Sequence, residues 1–287
     1  MEIRHFQTFI AIVDAGGYTK AAEQLGYAQS TITAHIQILE SELGKPLFSR
    51  LGKKVVVTDT GRELVPYARK MIALYKDIKS LAMADEVSGE LNIGAGESLS
   101  IYRLGPILKE YKKNYPNVNI ILKNSICSDL KKRLRNGELD IIFTIEPEVK
   151  EDDLVLAASK AERMLLITGG GCKMELSSSN MIFTEKGCRF RMVFENYLSE
   201  KKIKYSNPLE LTSIEAIKKC VACGLGISFL PLYTVENELK DESIVGVEIE
   251  EEYQNFKTQM IFHRAANRSK ALEAFMEIAI THFEKFE

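Results

Sequence analysis

Three groups of side chains in this sequence have the types and spacing to do chemistry. The first is Cys188, which sits beside Arg189 where a helix is expected to start. A cation and a helix N-terminus can lower a thiol pKa and make an oxidant sensor. The second is Cys220 with Cys223, a CxxC spacing that could hold zinc or cycle as a disulfide. No second pair and no nearby histidine completes a metal site, so packing thiols are expected. The third runs from Gln29 through Ser30, Thr31 and Thr33 to Ala34 and His35, small polar side chains that can reach base edges and phosphates. Other patterns fail on inspection. Gly94-Ala95-Gly96 follows a strand, but Leu99 stands where a dinucleotide fingerprint needs its third glycine. The glycines at 169–171 lack the lysine and hydroxyl of a phosphate loop, and His5, His35, His263 and His282 show no ligand spacing. No Ser-His-Asp arrangement is readable. No catalytic centre, metal or cofactor is therefore expected, and the chain is not read as an enzyme.

The polar run needs an element that presents it. Ala21, Ala22 and Leu25 give a first short helix a small apolar face, Gly26 makes a turn, and Ile32, Ile36, Leu39 and Leu43 stripe a second helix opening at Gln29 or Ser30. Such a helix pair can place its second N-terminus in a major groove, where the helix dipole also favours a phosphate. An ordinary antiparallel helix pair would show the same stripe. A preceding helix over 2–15, with Ile3, Phe6, Phe9, Ile10 and Val13 at helical spacing, would floor the pair and stop at Gly16-Gly17. Thr19 is the expected cap of the next helix, and Gly44 the stop of the one after. Residues 45–58 change period: Leu47 and Phe48, a turn at 51–54, then Val55, Val56 and Val57 read as a β-wing. Arg50, Lys53 and Lys54 at its tip would lie over the phosphate backbone.

Thr60 to Glu63 has the form of a capping box. Beyond it Leu64, Tyr67, Met71, Leu74, Ile78 and Leu81 alternate steps of three and four, a narrow seam suited to a partner helix in a dimerising coiled coil. Pro66 should kink that helix or weaken one of its hydrogen bonds. A hinge is expected at 85–89. After it, strands at 91–95, 118–122, 139–145, 164–168, 181–184, 226–230 and 257–263 alternate with helices at 99–115, 126–135, 189–201, 213–223 and 268–286. That alternation predicts parallel sheets covered by helices, in two α/β subdomains with a ligand cleft between them.

Composition bounds the reading. The length of 287 residues exceeds one ordinary domain, and 45% hydrophobic residues suffice for real cores. The net charge of −2 does not advertise a nucleic-acid binder, and cations and anions cancel over residues 1–60. Yet Lys45, Arg50, Lys53 and Lys54 occur with no anion between them, so a local basic patch survives. No run of about 18 apolar residues exists and the N-terminus lacks a signal-peptide core, so a cytoplasmic protein without membrane contact is expected. Cys127, Cys172, Cys188, Cys220 and Cys223, odd in number and scattered, suit reduced thiols.

At this point the chain resembles a LysR-type transcriptional regulator. The N-terminal likeness covers 1–65: AAEQL, Gln29-Ser30, Ile32-Thr33, Ile36, Leu39-Glu40, Leu43-Gly44, Leu47-Phe48, Arg50 and Thr58-Asp59-Thr60-Gly61. The remainder is similar in YPNV at 115–118, NGELDI at 136–141 and GLGISFLP at 224–231. The resemblance implies a multidomain α+β chain: a winged helix-turn-helix at 1–59, a linker and dimerisation helix at 60–88, and a periplasmic-binding-protein-like effector domain of two α/β subdomains at 89–287. It implies double-stranded DNA and a small effector as partners, with a homodimer through the linker helix, a homotetramer above it, and RNA polymerase as a further contact. By position, Gln29, Ser30, Thr31, Thr33 and Ala34 face DNA and Arg50 clamps the backbone. The family often has a basic or polar residue where Ala34 stands and glutamine where His35 stands. In the effector domain Ser98, Ser100, Ser125 and Thr144 match cleft positions, and the loop at 185–191 brings Cys188, Arg189 and Arg191, a set suited to a carboxylate or other small anion. A thiol-based sensor using Cys188, and a small-molecule binding protein with no regulatory role, are the alternatives.

Overall fold

The structure, a computed structural model, describes residues 1–52, 54–81, 87–266 and 268–286. Lys53 and the first part of the expected hinge, Asp85 and Glu86, lie outside the described residues.

Three helices open the chain: α1 (Ile3–Ala15), α2 (Tyr18–Leu25) and α3 (Gln29–Leu43). Gly26 turns α2 into α3 at φ 67°, a left-handed conformation that an L side chain rarely adopts. Thr19 caps nothing: α2 starts at Tyr18 on Gly17, one residue too early for its hydroxyl to serve. Phe6, Phe9, Ile12, Ala21, Ala22, Ile32, Ile36 and Leu39 bury against one another as the apolar stripes require, and Leu47 closes this core from the wing. The wing is the antiparallel pair β1 (Phe48–Leu51) and β2 (Lys54–Val57). It is tied to α3 by Glu40, whose Oε1 accepts the Leu47 N–H at 2.7 Å.

The long helix α4 spans Asp59–Leu81. Its N-terminal cap is Thr58, two residues before the capping box read from sequence: Thr58 Oγ1 accepts the Gly61 N–H at 3.0 Å and donates to the Pro46 carbonyl at 2.7 Å. Pro66 is carried inside a continuous helix. Val65 and Ala68 bury against the N-terminal core, while Tyr67, Met71, Leu74 and Ile78 stand exposed along the other side. Two apolar faces on one helix mean that one packs on its own domain and the other is open.

The rest of the chain forms two halves. The first begins with β3 (Gly89–Ala95), α5 (Glu97–Tyr102), α6 (Leu104–Asn114), β4 (Val118–Asn124), α7 (Cys127–Arg135), β5 (Ile141–Glu146) and β6 (Leu154–Glu162). The second holds β7 (Met164–Gly169), β8 (Ile182–Phe183), α8 (Arg189–Glu200), β9 (Leu209–Glu210), α9 (Ile214–Ala222), β10 (Ser228–Pro231), α10 (Leu232–Lys240) and β11 (Ile244–Glu248). The chain then returns to the first half with β12 (Phe256–His263) and α11 (Lys270–Phe283). The sheets run β4-β3-β5-β12-β6 and β10-β7-β11.

Parallel pairing holds only in part. β3, β4 and β5 are parallel, but β12 is antiparallel to both β5 and β6, and β7 to both its neighbours. The reason is topological: β6 leads out of the first sheet and β12 comes back into it, so the two connecting strands run in opposite directions. The helix expected over 99–115 is two helices broken at Arg103, whose guanidinium stacks on Tyr233 at 4.5 Å and Phe286 at 4.7 Å.

Gly61 is where α4 passes closest to the wing. A Cβ there would lie 2.4 Å from the Leu47 carbonyl oxygen and 2.6 Å from a Val57 methyl carbon. Gly61→Ala should therefore destabilise the N-terminal domain by about 1–3 kcal/mol in denaturant unfolding, despite alanine's better helix propensity. A neutral or stabilising result would refute this tight approach.

Candidate functional site

Two sites emerge from this scaffold. On the first, the start of α3 exposes Gln29, Ser30 and Ala34 and half-exposes Thr31 and Thr33. Thr33 Oγ1 donates to the Gln29 carbonyl at 2.9 Å, so its proton is used within the helix while its oxygen can still accept. Arg50 and Lys54 are exposed on the wing. His35 departs from the reading that placed it on the DNA side: it is 8% exposed, with Nδ1 2.8 Å from Thr8 Oγ1 on α1. Positions 32, 35, 36 and 39 share one helical face, so a histidine at 35 points inward with the isoleucines and the leucine.

The second site is a cavity of about 50 Å³ between the two halves. From the first half come Gly96, Glu97 and Ser98 at the start of α5, Ser125, Ile126 and Cys127 at the start of α7, and Ile145 of β5. From the second come Thr184, Glu185, Cys188, Arg189 and Phe190 at the start of α8, with Thr212 and Ile214 at the start of α9. The N-termini of four helices thus meet around one space. This follows from strand-to-helix connections that all turn at the same edge of a sheet. Each N-terminus leaves backbone amides without helical partners.

Of the cleft residues expected from sequence, Ser98, Ser125, Cys188 and Arg189 line this cavity. Ser98 accepts the Tyr233 hydroxyl at 2.9 Å, and Ser125 donates to Asp129 at 2.7 Å. Arg189 is partly exposed, with Nε 3.6 Å from the buried Glu146. Ser100, Thr144 and Arg191 do not line it. Ser100 donates to Asn124 at 2.6 Å. Thr144 is fully buried, because alternation along β5 sends it opposite to Ile145. Arg191 is held by its own half, donating to Glu210 at 2.5 Å, Glu195 at 2.8 Å and the Thr184 carbonyl at 3.1 Å.

Glu97, Cys127, Thr184 and Thr212 are lining residues that the sequence reading passed over. Glu97 is informative: its Oε2 accepts the Ile214 N–H at 2.8 Å, so a carboxylate of the chain itself occupies the α9 N-terminus across the cleft. Its position directly after Gly96, opening a helix, was the available signal. Glu185 has a raised pKa, chiefly through burial and then through the nearby Glu97 and Glu210. Burial likewise pushes the Cys127 thiol up to about 12. It also pushes the Cys188 thiol up, outweighing the downward pull of Thr184 and of the Phe190 and Arg191 amides. The expectation of an acidified Cys188 is thereby corrected: a helix N-terminus lowers a thiol pKa less than burial raises it here. Among the described residues, no three His, Cys, Asp or Glu side chains gather as a metal-ion site.

Residues 3–62 match the model of the bacterial regulatory helix-turn-helix proteins of the lysR family, and residues 84–284 match the LysR substrate binding domain. The chain belongs to the LysR family. It is a DNA-binding transcriptional regulator with an effector-binding domain, in a family of regulators rather than enzymes. It is 36% identical over 295 residues to the uncharacterized HTH-type transcriptional regulator YwqM of Bacillus subtilis strain 168, covering 99% of this chain and all of that one. With the uncharacterized HTH-type transcriptional regulator YfiE of Escherichia coli K12 it shares 30% over 287 residues, covering 96% and 97%. In fold it is similar to a variant of full-length OxyR from Pseudomonas aeruginosa, with TM-score 0.75 and 22% identity over 97% of this chain and 94% of that one. It is similar also to full-length CbnR complexed with its target DNA, with TM-score 0.63 and 20% identity over 98% and 100%. No described helix is long and apolar enough to cross a membrane.

The raised Cys188 pKa has a measurable consequence. With the thiol largely protonated near neutral pH, alkylation of Cys188 should lag well behind that of exposed Cys172 and Cys223, and should accelerate as pH rises. Time-resolved peptide mass spectrometry reads the order, and rapid labelling of Cys188 at pH 7 would contradict it.

Proposed function

We propose that this regulator reads a two-fold DNA site through paired copies of α3 and answers to a small carboxylate-bearing effector in the cleft between its two halves. The observation that carries the effector reading is the convergence of the α7 and α8 N-termini with Arg189 on one small cavity. Helix N-termini and a guanidinium are what a carboxylate needs, and Glu97 already serves the α9 N-terminus. A water takes roughly 10–15 Å³ of such space. The effector is therefore a compact acid of few heavy atoms, or one whose entry moves the halves apart.

The division of labour runs along the chain: 1–59 for DNA, 60–88 for pairing, 89–287 for sensing. Gln29, Ser30, Thr31, Thr33 and Ala34 read bases, while Arg50, Lys53 and Lys54 fix the register on phosphates. The exposed stripe of Tyr67, Met71, Leu74 and Ile78 joins two protomers, a second contact between effector domains makes a tetramer, and effector binding changes the bend of the DNA or the contact with RNA polymerase. The regulator acts in the cytoplasm, where its DNA is.

A thermal-shift screen of small organic acids on the full chain tests the sensing role, since a ligand that binds the folded state raises its melting temperature. Arg189→Ala should weaken the best acid about tenfold or more while leaving effector-free DNA binding intact; unchanged affinity would move the carboxylate elsewhere. Leu74→Glu should turn the dimer into a monomer in sedimentation and abolish binding to two-fold DNA; a dimer that persists would remove α4 from the interface. In a salt titration, log affinity against log salt should fall by about 0.9 per phosphate contact, and Arg50→Ala should make that slope shallower. A slope untouched by that change would reject the clamp.

A further inference from the structure

His35 lies in the seam between α1 and the helix that presents Gln29 to Ala34. Its Nδ1 meets the fully buried Thr8 hydroxyl at 2.8 Å, its ring centroid is 5.0 Å from that of His5, and Tyr27 meets it edge-on at 5.7 Å. His5 is 5% exposed and its Nδ1 accepts the Glu2 N–H at 3.2 Å, closing a reciprocal cap on α1. In this buried seam a charge on His35 is opposed by the lost water and by the neighbouring imidazole.

We propose that His35 is a positioning residue for DNA recognition: neutral, it braces the reading helix against α1 through Thr8 and His5, and its protonation loosens the brace and weakens operator binding.

The surroundings offer little to hold a proton. The groups facing the pair are Glu2, Arg4, His5 and Thr8 from α1 and its cap, and Tyr27 from the turn before α3. Glu2, the carboxylate acting on His35, is paired with Arg4 at 2.6 Å, and the Met1 amino group is turned to Glu42. Burial, then His5, then Arg4 hold the His35 pKa below the ordinary histidine value, and Glu2 only partly offsets them. The sign follows. The unfolded or loosened state takes the proton first, so the brace is complete above the ordinary histidine range. It weakens as pH falls through that range and levels off below the folded value. Simple electrostatics at a DNA interface has the opposite sign, because an added positive charge would tighten binding to phosphate.

The test uses the full chain and a duplex selected in vitro for binding to it, with affinity measured by fluorescence anisotropy at fixed ionic strength. From pH 8 to pH 6 the wild type should lose about threefold or more in affinity. His35→Gln, which keeps an amide able to bond Thr8, should bind at pH 8 and show a flat profile. His5→Gln, which removes an imidazole that holds the His35 pKa down, should make the fall shallower. Wild-type affinity that stays level or rises on acidification overturns the proposal, as does an undiminished fall in His35→Gln. Should His35→Gln fail to fold, NMR titration of the wild-type His35 ring decides: by linkage, bound DNA must lower its midpoint, and equal midpoints with and without DNA overturn the proposal.

Discussion

The architecture of the sensing domain rests on one topological constraint: the chain leaves the first sheet through β6 and returns to its interior through β12. Two antiparallel connections fix the halves face to face, with the strand-to-helix turns of both directed inward. The amides at the starts of α5, α7, α8 and α9 therefore share one small volume. The electrostatic character of the cleft is a product of backbone direction before any side chain is considered. Side chains then narrow it. Lys131 is taken up by Glu146 at 3.2 Å and Glu151 at 2.9 Å, and Arg191 by Glu195 and Glu210, while Arg189, which lines the cavity, is 3.6 Å from Glu146.

The halves are also stitched across the cleft. Glu97 reaches the α9 N-terminus, Ser98 meets Tyr233, and Tyr102 bonds both Glu215 and the buried Lys218, which is itself paired with Glu238 at 3.0 Å. All three contacts start from α5, a helix of six residues. Such a short helix has little stability of its own, so its placement depends on these partners. These contacts hold the two halves in register across the cleft.

Among the described residues, α4 also meets the sensing domain. Arg69, on α4, pairs with Asp14 of α1 and approaches Glu138, just beyond α7, at 4.0 Å, with its side chain only 13% exposed. Close packing supports this contact, since a Cβ on Gly137 would sit 3.4 Å from that of Arg69. One arginine therefore touches the floor of the helix-turn-helix and the far end of a helix whose other end lines the cleft.

By itself the sequence determined which segments are helix or strand wherever an apolar period was strong, as in α1, α3, α4, α8 and α11. It determined the open stripe on α4, and it placed Ser98, Ser125, Cys188 and Arg189 at one cleft through family likeness. It was silent on β6, β9, α10 and β11: β9 has only two residues, β6 and β11 are largely half-exposed, and α10 is a nine-residue helix that follows Pro231 directly. Tertiary structure alone decided that His35 faces Thr8, 27 residues away, that Glu97 bonds Ile214, 117 residues away, and that Arg191 is spent within its own half. It also decided that burial rather than a helix dipole governs the Cys188 thiol. The physical reason is common to these cases. Periodicity records how much of each face meets solvent, whereas polar partners and desolvation depend on which distant segments the fold brings to that face.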